Sequence, residues 1–228
     1  MRASQYHVDL EGFSLEKFRR NLESGEVLPG RKVLKEKIPE RFQVLKAMGI
    51  TNLKELMGAL KTKKRLERFA QESGLSQDYL VILRREANSH APNPVNLRAI
   101  PGVAPKHVEK LAAVGIKHTK HLFDRAKSGS DRAELSGLAD VPESDLLELL
   151  KLSDLARVSG VGPVFARLLY EAGAHSLAEL AGCAPDELCE RVNAINQEKG
   201  HTQVTISLRD IVYCVEIARE LPKVIEYE

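Results

Sequence analysis

Apolar residues along this chain come in short bursts at three- and four-residue spacing, and each burst follows a proline and stops at a glycine. Val108, Leu111 and Ala112 follow Pro105; Phe165, Leu168 and Leu169 follow Pro163. Such spacing gathers the apolar side chains on one face of a helix and leaves the polar positions on the other. Proline suits the first helical position, where its missing N–H has no partner to lose and its fixed φ fits the helix. A glycine after the last turn enters the left-handed region without the Cβ penalty of other residues.

The burst repeats. A shift of 66 residues lays Pro39 on Pro105, Leu45 on Leu111, Gly49 on Gly115 and Leu56 on Leu122. A further shift of 58 reaches Pro163, Leu169, Gly173 and Leu180. In the first and third copies a second helix follows from a capping-box spacing, Asn52 with Glu55 and Ser176 with Glu179. His118 and His121 hold those places in the second copy, which predicts a weaker cap there, or one supplied by Thr119. Residues 73–83 match 139–149 at the same shift of 66, and 181–192 form a shorter third version. Each repeat therefore predicts about four short helices in roughly 55–65 residues.

The layout follows: an extension over 1–29, a degenerate first repeat over 30–87, and a linker over 88–96 marked by two prolines. The second repeat spans 97–151 and the third 152–206. A last helix and tail cover 207–228, with Ser207 as N-cap and Pro222 as stop. Residues 6–10 and 223–228 alternate in polarity and predict short terminal strands. The fold class is all-α.

Composition narrows the function. In 228 residues there is no Trp and aromatics make up 5%, which argues against an aromatic stacking platform for single strands. No apolar run approaches the ~20 residues of a membrane span, and the N-terminus does not read as a signal peptide. Cys183, Cys189 and Cys214 lack CxxC spacing, and buried thiols in a reduced, cytoplasmic compartment are the expectation. The net charge of +2 conceals an asymmetry. Residues 1–100 carry 19 Lys and Arg against 12 Asp and Glu, and residues 101–228 carry 15 against 20. A basic front suits a polyanion.

The residues ahead of the repeat's proline are the informative ones. The third repeat reads Leu155-Ala-Arg-Val158-Ser-Gly160-Val161-Gly162-Pro163, and the second reads Leu97-Arg-Ala-Ile100-Pro-Gly102-Val103-Ala104-Pro105-Lys106. Both resemble the helix-hairpin-helix motif, an apolar residue followed by Gly-apolar-Gly and a second helix. Glycines let such a turn take φ > 0 and bring backbone N–H groups close to a ligand. The next helix adds unpaired donors and a partial positive charge, a combination that suits a phosphate oxygen and ignores base identity. Ala104 replaces the second glycine and is expected to tolerate φ > 0 poorly, while Lys106 stands where a lysine often meets phosphate. The third repeat keeps both glycines but has Val164 at the lysine position and acidic surroundings. The first repeat has no glycine hairpin.

This layout resembles a widespread prokaryotic family of unknown function built from tandem helix-hairpin-helix units. Some of its members are likened to the DNA-binding domain of flap endonucleases. The resemblance covers residues 30–200, is strongest over 155–182, and implies an all-helical fold of three tandem repeats.

Other clusters carry residue types suited to chemistry. Residues 60–69 form an amphipathic stretch whose basic face carries Lys61, Lys63, Lys64 and Arg65. His118 and His121 are one helical turn apart, a spacing seen in metal sites, but no nearby cysteine completes a set and no metal is assigned. The chain lacks GxSxG, HExxH and P-loop patterns, so no catalytic residue or cofactor is assigned. The reading is a cytoplasmic, non-enzymatic protein without a small-molecule substrate, binding DNA through its backbone with little sequence preference. Gly102, Val103, Ala104, Lys106 and Lys110 would hold one phosphate and Gly160, Val161 and Gly162 a second. Lys61, Lys63, Lys64 and Arg65 would add diffuse attraction. The alternative is a scaffold for a protein partner or for a second copy of the chain.

Overall fold

The computed structural model describes residues 5–25, 27 and 29–227. They form two compact units, one of residues 8–91 and the other of residues 5–7 with 92–227. In the first, α1 (Leu15–Ser24) leads through a 3-10 segment (Pro29–Lys35) to α2 (Ile38–Ala47), α3 (Leu53–Ala59), α4 (Lys63–Ser73) and α5 (Gln77–Ser89). In the second, a 3-10 turn (Leu97–Ala99) leads to α6 (Pro105–Ala113), α7 (Thr119–Arg125), α8 (Gly129–Ala139) and α9 (Glu143–Leu155). It continues with α10 (Pro163–Glu171), α11 (Leu177–Gly182), α12 (Pro185–Lys199) and α13 (Leu208–Glu220). The chain is all-α. Among the described residues, no helix is long and apolar enough to cross a membrane.

The repeat's punctuation works as physics requires. Gly49, Gly115 and Gly173 sit at φ +81°, +89° and +93°, and the residue after each returns its N–H to the repeat's leucine carbonyl. Those bonds, Ile50 to Leu45, Ile116 to Leu111 and Ala174 to Leu169, measure 3.1, 2.9 and 3.0 Å. Each closes a helix end whose last carbonyls would otherwise lack donors. The leucines themselves are fully buried.

The chain entering each repeat is pinned in a related way. Leu53 N–H bonds Phe13 O and Thr119 N–H bonds Val95 O, at 2.9 and 2.8 Å. The reciprocal bonds run from Leu15 N–H to Thr51 O and from Leu97 N–H to Lys117 O. In the third repeat the corresponding amide, Leu177 N–H, finds the buried Asp154 carboxylate at 3.1 Å. Helix α9 runs unbroken from the second repeat into the third, and its buried face includes Leu146, Leu149, Leu150, Leu152 and Leu155.

Of the two expected outcomes, a weaker cap at His118 or one supplied by Thr119, the structure keeps His118 as the cap. His118 is the N-cap of α7, its Nδ1 accepting from His121 N–H at 3.2 Å. His121 Nδ1 in turn accepts from Lys117 N–H at 3.4 Å. Glu55 and Glu179 make the same return bond, to Thr51 N–H and His175 N–H, so two imidazoles rebuild the pattern that the other repeats make with an amide or hydroxyl and a carboxylate.

Both imidazole bonds need nitrogens free of protons. The pKa of His118 lies below the ordinary histidine value, first because of burial and then because of His121 and Lys120. A base with a depressed folded pKa leaves the unfolded chain to take up protons first as pH falls. The cap's contribution is therefore complete above the unfolded value of about 6.5 and is lost below it. His7, lowered to about 4 chiefly by burial, adds to the loss in the same direction. With a cap contributing about 1 kcal/mol, the melting temperature of wild type should fall by roughly 3 °C more than that of His118→Ser between about pH 7.5 and about pH 5. Circular-dichroism melts of both proteins check it.

The terminal strands predicted over 6–10 and 223–228 are corrected. Residues 6–10 and 223–227 form no strand, and Glu228 lies outside the described residues. Neither segment meets a neighbouring strand; Asp9 O and Leu10 O accept from Phe13 and Lys54 N–H at 2.8 and 3.1 Å, Glu226 N–H donates to Lys127 O at 2.9 Å, and arginine side chains take other carbonyls. Tyr6 O and Pro222 O accept from the Arg157 guanidinium at 2.8 Å each, and Glu226 O accepts from Arg132.

Candidate nucleic-acid interface

The second-repeat turn runs from Ile100 to Lys106, between the 3-10 turn and α6. Gly102 is at φ +76° and exposed, which only glycine accommodates without strain. Among the described residues, the N–H groups of Gly102, Val103, Ala104 and Lys106 find no acceptor, and α6 begins with Pro105 directly behind them. The third-repeat turn repeats the geometry. Gly160 lies at φ +85° in open space, and Val161, 4% exposed, anchors the turn by donating its N–H to Val158 O at 3.0 Å. The amides of Gly160, Gly162 and Val164 are without an acceptor among the described residues, and α10 starts at Pro163.

The second glycine position is not a left-handed one. Gly162 has φ −81° and ψ −178°, Ala104 has φ −65° and ψ 119°, and both serve as N-caps in extended backbone. The expectation that Ala104 would be strained is thus corrected: any residue adopts that conformation, and the alanine leaves the turn intact.

Most charged side chains around the second-repeat turn are paired. Lys106 is exposed and makes no ion pair among the described residues. Lys110 Nζ is held by the Asp140 carboxylate at 2.5 Å and its carbonyl at 2.8 Å. His107 Nδ1 lies 3.1 Å from Asp145, and Arg98 lies 3.6 Å from Glu109. Sequence reasoning missed Arg167. Its guanidinium, 5% exposed, comes within 3.4 Å of where a Cβ on Gly102 would stand, and its Nε donates to Pro101 O at 2.7 Å. Nη2 is 2.8 Å from Glu148 Oε1, an ion pair whose geometry is out of line for a hydrogen bond. A guanidinium paired with a carboxylate is thereby fixed against the turn by a helix from the next repeat. No local signal marks it, because an arginine between alanine and leucine in α10 reads as a solvated position.

Lys61, Lys63, Lys64 and Arg65 belong to the other compact unit. Thr62 caps α4, so these cations surround its first turn rather than lining a long basic face. Lys63 is loosely paired with Glu67 at 3.8 Å, and Arg65 Nη1 donates to Gly58 O at 3.0 Å. Lys61 and Lys64 are exposed without an ion pair among the described residues.

Fold and site together describe an all-α protein of repeated short helices, with two turns that present unpaired backbone amides at helix starts. Residues 101–221 match the family described as Domain of unknown function (DUF4332), and the chain belongs to that family. It is also 42% identical over 74 residues to the DNA polymerase IV of Halobacterium salinarum, in each of two strains. That stretch is 32% of this chain, and the chain spans 17% of the length of the curated relatives it matches. No solved structure matches it.

Proposed function

We propose that this protein binds nucleic acid, DNA foremost, by gripping phosphates with helix-hairpin-helix turns, and that it does so without catalysis. The observation that carries the reading is the second-repeat turn. Among the described residues four amides there lack acceptors, the exposed Lys106 stands beside them, and the Arg167 guanidinium, paired with Glu148, packs against Gly102. Amides at a helix start offer a phosphate both donors and a favourable dipole. A cation beside them strengthens each bond through charge assistance. The third-repeat turn supplies a second phosphate contact. Similarity to a DNA polymerase over 74 residues supports the same class of partner. Base edges are left unread, so sequence preference is weak.

The first turn of α4 supports it independently. Lys63, Lys64 and Arg65 stand where the helix dipole is already positive, and no acid offsets them in that turn. Such placement costs stability, and a polyanion outside the protein relieves it. Lys64→Glu should therefore raise thermal stability by about 0.3–1 kcal/mol while weakening DNA binding. A melt and a titration of the same preparation separate this from a merely solvated helix, for which affinity would not move.

The direct test is fluorescence anisotropy with labelled duplex, single-stranded and branched DNA at two salt concentrations. Two to four phosphate contacts predict a log–log salt slope of about −2 to −4. No binding at low salt would remove the proposal and leave a protein scaffold in its place.

A further inference from the structure

The face between a repeat's first helix and its proline-led helix exists in three states in this chain. The shift of 66 places Pro39, Phe42 and Gln43 on Pro105, Val108 and Glu109, and the further 58 places them on Pro163, Ala166 and Arg167. The matching entry bonds align Glu16 with Arg98.

In the third repeat the face is occupied. Ala156, Ala166 and Arg167 are 2%, 0% and 5% exposed, and the neighbouring repeat's turn is seated there, with Pro101 O taken by Arg167 and Gly102 beneath its guanidinium. In the second repeat the face is bridged. The Arg98–Glu109 pair crosses it, leaving two clefts of about 190 and 280 Å³ on either side. In the first repeat it is open. Glu16 turns along its own helix to Arg19 at 2.5 Å, and a groove of about 420 Å³ remains, floored by Leu15, Pro39, Phe42 and Ile50 and rimmed by Gln43 and Lys46.

We propose that this groove receives the third-repeat turn, around Gly160, of a second copy of the chain. The precedent within the molecule is a turn of the same design lying on the same face. The Gly160 turn is the one left uncovered: a Cβ there would meet nothing within 4 Å, whereas one on Gly102 would meet Arg167. Gln43 stands where Arg167 donates to Pro101 O, and its amide can donate to Ser159 O, the matching carbonyl of the incoming turn. Charges complement as well. Residues 8–91 carry 17 Lys and Arg against 12 Asp and Glu, while residues 152–228 carry 7 against 12. Two such contacts related by a twofold axis close a dimer.

Sedimentation equilibrium of the full chain, from about 1 to about 200 µM, tests it, since a small polar-rimmed contact belongs in the micromolar range. Mass should rise from monomer toward dimer and fall back with added salt. Glu16→Arg/Gln43→Glu transplants the second repeat's bridge at a net gain of one positive charge, and should keep the protein monomeric although that gain alone would favour association with the acidic third repeat. Lys46→Glu, on the exposed rim, should weaken association several-fold and serves if the double variant is unstable. Lys106→Glu should associate as wild type does, which separates this inference from the nucleic-acid reading. A wild type that stays monomeric throughout, or groove variants that associate undiminished, would overturn the proposal.

Discussion

Replacing Arg157 by methionine should lower the melting temperature of the unit containing residues 92–227 by about 10–15 °C. Arg157 is 0% exposed. Its Nε donates to Tyr6 O at 2.8 Å, its Nη2 to Gln5 O and Pro222 O at 3.0 and 2.8 Å, and its Nη1 to Asp154 Oδ1 at 2.5 Å. The guanidinium also lies over the Phe123 ring at 4.4 Å. Asp154 uses its other oxygen to accept from Leu177 N–H at 3.1 Å and from the Tyr227 hydroxyl at 2.6 Å. Burial first, and then the carboxylate beside it, hold the Tyr227 phenol far above its usual pKa, so it stays a donor.

One side chain thus ties both ends of the unit to its centre. Methionine fills much of the volume but strips three carbonyls of their donor and leaves a buried carboxylate short of its countercharge. Removal of one partner from a buried pair costs about 3–5 kcal/mol, a large part of a stability of about 5–15 kcal/mol. Arg157→Met/Asp154→Leu should recover some of that loss, because no charge is then left alone. Thermal melts of the two variants decide the matter. A single variant that melts within about 3 °C of wild type would mean that packing, rather than this network, secures the ends.

The repeat was legible in the sequence because its determinants are local. Pro105 and Pro163 set helix starts through their own φ, and Gly49, Gly115 and Gly173 set helix ends through theirs, so spacing alone locates the elements. The hairpin turns were visible for the same reason at Gly102 and Gly160. At Ala104 the motif's glycine is no backbone requirement, because the position is an extended N-cap. Arg157 and Arg167 were not legible at all. Their partners are 151 residues away at Tyr6 and 66 away at Pro101, and no periodicity records a contact of that range. The terminal strands failed likewise: alternation in 6–10 marks Tyr6 as buried, but its backbone partner is an arginine, not a strand.

Lys106→Glu should weaken duplex binding about tenfold at low salt and make the log–log salt slope shallower by about 1. One phosphate contact, with the counterion it releases, is then lost from a small set. Two glycine variants then distinguish a phosphate-gripping turn from diffuse attraction. Gly160→Val forces a β-branched residue to φ +85°, where L-residues are disfavoured by roughly 1–2 kcal/mol, so the turn must shift and its amides scatter. Binding should drop by a further contact although no charge has changed. Gly162→Ala should change nothing, because that backbone is extended, a Cβ there meets no atom within 4 Å, and the second repeat already carries Ala104 at the same place. If Gly160→Val binds as wild type does while Lys106→Glu does not, the charge acts without the turn. If neither variant moves the salt slope, the amides face a protein and the search for a partner begins there.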